Sequence, residues 1–297
     1  MSPARAPVLA ALLMLGSVAV VAVQNALIRV VADEGIHAFQ IVLYRNIFGL
    51  LSVAAIVLWT ERGIPRTRLL GMIGLACILH VGSMLAGFLG VALLPLNEST
   101  ALGFAGPLFA TMGAALFLGE TVRARRWTAI GAGFVGVLII LRPGYVPIEL
   151  GAAMTLASAL LGAASTLMFK HFTGSERGAT LILYQTVFSV LMSVPPAVVV
   201  WETPDTTQVA MMAVIGVLGT VSWMLFLRAF ALGDASAVFP YEFARLPFVA
   251  LLAYLVFGEV PDQWVWLGAT VIFGSNLYIV HREAIVAREI GRTASAR

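Results

Sequence analysis

Three charged side chains stand inside strongly apolar stretches, and their chemistry is that of binding a polar solute. Arg45 lies in one such stretch, and Glu242 and Arg245 lie together in another. A charge at the centre of a membrane helix costs about 2.5–3.5 kcal/mol, so such residues usually face a cavity or a partner. Glu242 and Arg245 are three residues apart and would share one face of a helix. All three are candidate substrate-binding residues.

Each of these charges also has a structural interpretation. Arg45 could be a fixed cation for an anionic group, a partner for Glu242, or a clamp on backbone carbonyls. Glu242 and Arg245 could bind a substrate or a proton, or form an ion pair that locks two helices. Pro240 and Pro247 flank them, and prolines free backbone carbonyls and kink helices. The sequence leaves these alternatives open.

Further polar and aromatic residues lie far from the ends of the apolar stretches. A protonatable imidazole at the depth of His80 could relay protons or form a hydrogen bond between helices. Trp223 and Tyr241 could line a cavity and stack on a planar substrate, or simply pack. Gln24 and Asn25 could bind either a substrate or another helix.

The composition determines the class of protein that must position these residues. Of 297 residues, 60% are hydrophobic and 11% are charged, and the mean hydropathy is +0.97. Soluble domains are about 45–50% apolar and about 25% charged. A soluble enzyme, a disordered chain and a nucleic-acid binder are therefore excluded. At about 20 residues per spanning helix, the chain has room for about ten spans.

Ten apolar segments follow one another along the chain. In lipid each must satisfy its own backbone polar groups, so each is predicted to be a helix. They run over residues 7–31, 37–59, 69–93, 96–118, 126–142, 149–170, 178–201, 208–231, 235–257 and 264–281.

Basic residues predict the orientation, because Lys and Arg concentrate in cytoplasmic joints. Most of the 18 basic residues fall in alternate joints and in the two terminal segments, whereas the opposite joints hold only Arg142. We therefore expect a multi-pass protein of the plasma (inner) membrane with both termini in the cytoplasm.

The two halves of the chain resemble one another at offsets of 137–140 residues. Each half has five spans, an odd number, so the second half must lie inverted relative to the first. The expected domains are residues 1–145 and 146–283, followed by a cytoplasmic tail, 284–297. Inverted repeats are typical of secondary transporters. The matching positions are Leu43-Tyr44 with Leu183-Tyr184, Pro107 with Pro247, Gly119-Glu120 with Gly258-Glu259, Trp127 with Trp264, and Arg45 with Gln185.

Several motifs resemble the EamA-type branch of the drug/metabolite transporter superfamily. That resemblance implies ten helices, cytoplasmic termini and a central cavity between the repeats. It implies no single substrate, since the family moves amino acids, nucleotide-like metabolites, vitamins and drugs. The motifs are Thr100-Ala101-Leu102 through Pro107-Leu108-Phe109, Leu118-Gly119-Glu120, Tyr241 through Pro247, Phe257-Gly258-Glu259, and the arginine of Tyr44-Arg45-Asn46.

The sequence therefore predicts an all-α secondary active transporter that moves a small polar organic solute by alternating access. A lipid-linked flippase of related architecture is the alternative. An intramembrane enzyme is not expected, because the chain has no GxSxG or HExxH motif and no aspartate within a span. The predicted substrate-binding residues are Arg45, Glu242, Arg245, Tyr241, Trp223, His80, Asn25 and Gln185.

No metal or cofactor is predicted, because Cys77 is the single cysteine and the four histidines are scattered. The expected partners are a small-molecule substrate and the lipid bilayer, with protons as a candidate coupling ion. Nucleic acid is not an expected partner, and the protein is expected to be a monomer or a homodimer.

Overall fold

The computed structural model describes residues 5–60, 70–117, 124–143, 148–172, 178–232 and 238–278, and these ranges contain helices and no strands. In chain order the elements are α1 (Arg5–Asp33), α2 (Ala38–Thr60), α3 (Leu70–Leu93), α4 (Leu96–Gly103), α5 (Gly106–Phe117), α6 (Ala124–Leu141), α7 (Leu150–Phe172), α8 (Gly178–Val199), α9 (Thr206–Leu232), a 3-10 segment (Phe239–Ala244), α10 (Arg245–Phe257) and α11 (263–278).

These elements follow the ten predicted spans in order, with the fourth and ninth spans each divided in two. Four described segments are long and apolar enough to cross a bilayer: Val8–Asp33, Leu70–Leu93, Leu150–Met168 and Thr206–Leu232. Large apolar side chains also cover the outer surface. Leu51, Leu116 and Leu255 are 61%, 63% and 67% exposed, as expected of helices that face lipid.

The prediction of one continuous helix over 96–118 is wrong. The helix stops at Gly103 and resumes at Gly106, because Pro107 has no N–H to donate to Gly103 and its ring clashes with that carbonyl. The N–H groups of Phe104 and Ala105 instead donate to residues three positions back, at 3.3 and 3.0 Å. Pro247 has the same relation to Phe243, at the end of the 3-10 segment. The two breaks are therefore equivalent positions of the repeat.

The helix packing has the symmetry of two inverted repeats. The repeat symmetry relates α1 to α7 and α3 to α9, so the α1–α9 contact is equivalent to the α3–α7 contact. These two helix pairs form the most extensive contacts in the described structure. Ser17 Oγ donates to the Ser222 carbonyl at 2.9 Å, and its image, Ser158 Oγ, donates to the Ser83 carbonyl at 2.7 Å. The fold class is thus confirmed.

A second pair of hydrogen bonds follows the same symmetry. Gln24 Nε2 donates to the Ile215 carbonyl at 2.9 Å, and Ser165 Oγ donates to the Ala76 carbonyl at 3.1 Å. The offsets are again 139–141 residues. The predicted domain limits stay a prediction, and the predicted tail and Glu120 lie outside the described residues.

Candidate functional site

Arg45 lies in the interior of the bundle, on the third turn of α2. At 1.5 Å per residue this is roughly 10 Å below the start of the helix. Its Nη1 donates to Asn46 Oδ1 at 3.1 Å and to Met84 Sδ at 3.6 Å. Its Nε is buried without a hydrogen-bond partner, and no carboxylate in the described ranges forms an ion pair with it. Arg45 is therefore a cation without an anionic partner among the described residues.

Polar side chains from three other helices surround this arginine. Gln24 of α1 and Asn46 of α2 are 7% and 1% exposed. Asn46 Nδ2 donates to the Ser189 carbonyl at 3.3 Å and to Ser193 Oγ at 3.4 Å on α8. His80 lies on α3 one turn before Met84, whose Sδ accepts from the guanidinium. We call Gln24, Arg45, Asn46, His80 and Ser193 the Arg45 cluster.

Two glycines of α9 let α2 and its arginine approach. A Cβ at Gly216 would lie 2.6 Å from Phe48 Cβ and 3.0 Å from the Arg45 carbonyl oxygen. A Cβ one turn further on, at Gly219, would lie 3.1 Å from Arg45 Nη2, 3.2 Å from its Nε and 2.9 Å from Gln24 Nε2. Gly216 therefore permits the backbone contact, and Gly219 permits the position of the guanidinium.

The cluster lies where the two repeats differ in sequence. By the repeat offset, Arg45 is equivalent to Gln185, and Gly219 is equivalent to His80. In the first half Arg45, a long cation, is combined with Gly219. In the second half Gln185, a shorter amide, is combined with the imidazole of His80. The two positions are nevertheless equivalent in the fold, because Cys77 Sγ donates to the Gln185 carbonyl at 3.9 Å, and Gly216, its counterpart, faces the Arg45 carbonyl.

Arg245 has a different environment. Its guanidinium carbon lies 4.6 Å from the centroid of the Phe104 ring, which is cation–π distance. Phe104 stacks on Phe243 at 4.8 Å, and Phe243 meets Phe273 edge to face at 4.6 Å. The structure shows no ion pair between Arg245 and Glu242, so the locking pair considered from the sequence is not formed by these two described side chains.

The break in the fourth span is held by α11. The Phe104 carbonyl accepts a hydrogen bond from Asn276 Nδ2 at 3.0 Å, since that carbonyl has no partner within its own helix. Thr100 Oγ1 and Asn276 Oδ1 are buried without partners. Irregular backbone at membrane depth must be satisfied in this way by protein.

The other predicted site residues are not gathered around Arg45 by any contact in the described structure. Trp223 is 54% exposed and stacks on Phe226 at 5.4 Å. Tyr241 is 41% exposed. Asn25 and Gln185 are half-buried, and no described residue hydrogen-bonds to their side chains. The described residues hold no group of three His, Cys, Asp or Glu that could bind a metal ion.

A contact between the two halves, not anticipated from the sequence, lies at the end of the bundle opposite the predicted cytoplasmic side. Arg29 of α1 donates to the carbonyls of Val91 and Leu94 at the end of α3, and its Nη2 lies 4.0 Å from Glu259 Oε1. Glu259 Oε2 accepts the Leu96 N–H at 2.9 Å, at the start of α4. We call Arg29 and Glu259 the outer latch.

Local sequence explains how Glu259 reaches this position. Gly258 ends α10 with a φ of +68°, a left-handed conformation that glycine adopts without a Cβ penalty. The chain therefore turns back toward α4. A second ion pair joins the halves nearby, between Arg142 Nη2 and Asp262 Oδ2 at 3.2 Å.

A cleft of about 590 Å³ opens at the same end of the bundle. The α1–α2 turn and the ends of α3 and α8 form it, and its lining includes His37, Leu89, Trp201 and Glu202. Trp201 stacks on Tyr44, beside Arg45 in the chain, at 6.1 Å. The backbone of Glu202 is bound to Gln40 by two hydrogen bonds: Gln40 Nε2 donates to the Glu202 carbonyl at 2.6 Å, and the Glu202 N–H donates to Gln40 Oε1 at 3.1 Å.

Comparison with known proteins identifies relatives of this chain. The S-adenosylmethionine uptake transporter of Rickettsia bellii is 27% identical over 248 residues, which is 84% of this chain and 85% of that protein. The riboflavin transporter of Rhizobium johnstonii is 35% identical over 195 residues, 65% of each chain. The pseudopaline exporter of Pseudomonas aeruginosa is 25% identical over 258 residues, 84% of this chain and 88% of that protein.

The fold also matches a solved structure. A crystal structure of a chain that is 14% identical superposes with a TM-score of 0.61, over 90% of this chain and 95% of that one. At that identity the likeness shows the fold alone. It agrees with the helical fold described above.

The EamA-like transporter family profile matches twice, at residues 8–142 and 149–280. Together the two matches cover most of the chain. The relatives are transporters of small molecules, so the protein is a multi-pass membrane transporter and not an enzyme. With two family matches, an all-helical fold and a polar cluster inside the bundle, this chain belongs to the EamA-like transporter family.

Proposed function

We propose that this protein is a secondary transporter that moves a small polar organic metabolite by alternating access. The observation that carries the proposal is the Arg45 cluster, in which side chains of both halves meet inside the bundle. Transporters built from inverted repeats bind their substrates near the bilayer midplane, between the repeats. The broken fourth and ninth spans occupy equivalent positions, as do the discontinuous helices of such transporters.

The relatives suggest the size and type of substrate. S-adenosylmethionine and riboflavin are both polar metabolites with a planar ring system, and relatives of this chain are named for the transport of each. We propose a metabolite of this kind as the substrate. Arg45 would bind its polar part, and Trp223, Tyr241, His80, Asn25, Gln185, Glu242 and Arg245 remain candidate contacts for the rest.

The outer latch fits a rocking movement of the two halves. Glu259 belongs to the second half, whereas Arg29 and the start of α4 belong to the first. Separating the halves at this end would break these contacts and open a path from the cleft between the α1–α2 turn and the ends of α3 and α8. We also propose a plasma-membrane location with both termini in the cytoplasm, which the distribution of basic residues supports.

Flux into proteoliposomes tests the proposal. Purified protein is reconstituted and supplied with radiolabelled S-adenosylmethionine or riboflavin, with and without a pH gradient. We expect saturable uptake of at least one of them, inhibited by the unlabelled compound. Stimulation by the pH gradient would identify protons as the coupling ion.

Two controls sharpen this test. Arg45→Ala should abolish the uptake, whereas Arg228→Ala, which removes an exposed arginine of α9, should leave it intact. Uptake that rises linearly with concentration would contradict a carrier mechanism. Wild-type uptake by Arg45→Ala would contradict the assignment of the site.

A further inference from the structure

We propose that Arg45 binds a carboxylate of the transported metabolite, so that the preferred substrates of this protein are carboxylic acids. The inference rests on the transport function proposed above and gives the chemical class that the same site selects. Three observations support it: donors of the Arg45 guanidinium have no partner, the side chain is held in one orientation, and no described carboxylate forms an ion pair with it.

Arg45 differs from the four other arginines whose side chains the structure describes. Arg29 and Arg142 contact carboxylates, and Arg245 lies against an aromatic ring. Arg228 is exposed at the surface. Only Arg45, among these five, is an interior cation with neither a carboxylate nor an aromatic face against it.

An unpaired interior charge is costly. Withdrawing an ion from water has an effective penalty of several kcal/mol even after the protein relaxes. Asn46 Oδ1 and Met84 Sδ accept from Nη1 alone. Nε is buried without a partner, and the described structure gives Nη2 no hydrogen bond. The donors left over are the Nε–H and the two N–H groups of Nη2, and two of these three lie side by side on one edge of the guanidinium.

Two adjacent N–H groups are the geometry that a carboxylate recognises. Arginine binds carboxylates through two parallel N–H···O bonds, and such charge-assisted bonds are roughly twice as strong as neutral ones. The Nε–Nη2 edge of Arg45 presents this pair. A neutral carbonyl could accept from these donors but would leave the positive charge uncompensated.

The orientation of this edge is fixed before any substrate binds. Nη2 and Nε lie opposite Gly219 of α9, at which a Cβ would come within 3.1 and 3.2 Å of them. Gln24 is held beside the guanidinium by its bond to the Ile215 carbonyl. Fixing a side chain in advance reduces the entropy lost on binding.

The surroundings favour an anion over a cation. Gln24, Asn46 and Met84 are neutral, and His80 is neutral or positive. No described carboxylate forms an ion pair with the guanidinium. A substrate carboxylate would therefore meet no nearby negative charge, whereas an ammonium group at this edge would be repelled.

The repeat supplies a matched variant. Gln185 occupies the position in the second half that Arg45 occupies in the first. Arg45→Gln therefore introduces the side chain that the repeat carries at the equivalent position, and it removes the charge while keeping an amide. Arg228→Gln makes the same change at an exposed position.

Two ligands that differ by the carboxylate alone provide the test. S-adenosylmethionine and decarboxylated S-adenosylmethionine are titrated into detergent-purified wild type, Arg45→Gln and Arg228→Gln, and dissociation constants are measured by calorimetry. Wild type and Arg228→Gln should prefer the acid by about 10–100-fold, the effect of one or two charge-assisted hydrogen bonds. Arg45→Gln should bind both compounds with similar affinity. Its thermal unfolding confirms that it is folded.

Other outcomes overturn the proposal in distinguishable ways. A preference for the acid that persists in Arg45→Gln would place the carboxylate elsewhere. Equal binding of the two compounds by wild type would exclude a carboxylate contact. Riboflavin has no carboxylate, so its uptake tests the transporter proposal without testing the carboxylate contact. Saturable riboflavin uptake without binding of S-adenosylmethionine would refute this inference and leave the transporter proposal standing. Failure of all three compounds would count against both.

Discussion

Replacing Gly216 by alanine should force α2 and α9 apart. A Cβ at Gly216 would lie 2.6 Å from Phe48 Cβ, 3.0 Å from the Arg45 carbonyl oxygen and 3.3 Å from the Gly49 nitrogen. Carbon atoms pack at about 3.5–4.0 Å. The two helices must therefore separate by roughly 1 Å, because two of the three obstacles are backbone atoms that no rotamer change can move.

The size of the effect follows from two opposing contributions. Overpacking a well-packed interior typically costs about 1–3 kcal/mol. Alanine is a better helix former than glycine by about 1 kcal/mol. We therefore expect Gly216→Ala to lower the free energy of unfolding by up to about 2 kcal/mol, which thermal unfolding of the detergent-purified protein measures.

Gly219→Ala is the matched control, one turn further along the same helix. Its Cβ would meet the far ends of two flexible side chains, Gln24 Nε2 at 2.9 Å and the Arg45 guanidinium at 3.1 Å. Those ends can move, so stability should stay within about 1 kcal/mol of wild type, while the guanidinium is displaced. Equal stability of the two variants would refute the close α2–α9 approach.

Three further predictions concern contacts between helices. Glu259→Ala should destabilise the protein by about 1–3 kcal/mol, since it removes the acceptor for the Leu96 N–H and the partner of Arg29. Glu259→Gln keeps an acceptor for the Leu96 N–H and should lower the free energy of unfolding by less in the same assay. Equal losses of stability in the two variants would mean that only the charge of Glu259 matters. A double-mutant cycle on Arg142 and Asp262 should give a coupling of about 0.2–1 kcal/mol, because the pair is partly exposed. A coupling above this range would indicate a buried pair. Ser158→Ala should cost about 1 kcal/mol through its lost bonds to Ser83, and Ser17→Ala, its image, should cost a similar amount. Very unequal costs would contradict the repeat symmetry.

The sequence predicted the helices well because lipid leaves the backbone few alternatives. In a bilayer every N–H and C=O must be satisfied within its own segment, so an apolar run of sufficient length becomes a helix. The order of the ten spans and the inversion of the halves follow from hydropathy and from an odd number of spans per half. The break at Gly103 could have been predicted from Pro107, because Pro247 occupies the equivalent position of the repeat and prolines interrupt helices.

The outer latch could not be predicted in the same way. Arg29 and Glu259 are far apart in the chain, and each stands near the end of a span, where a charge is unremarkable. Their contact depends on the left-handed turn at Gly258 and on the end of α3 lying beside α1. Sequence spacing carries no information about such a contact, because it arises from the docking of one half on the other.

The sequence by itself determined the membrane class, the ten spans, the inverted repeat and the presence of rare interior charges. Only the tertiary structure decided what each charge does. Arg29 and Arg142 contact acidic side chains, Arg245 lies on Phe104, and Arg45 keeps two donors without a partner against Gly219. The physical reason is that the free-energy cost of burying a charge depends only on residue type and depth, and both can be read from the sequence. Compensation of that cost depends on which atoms come within about 4 Å, and helix packing decides this.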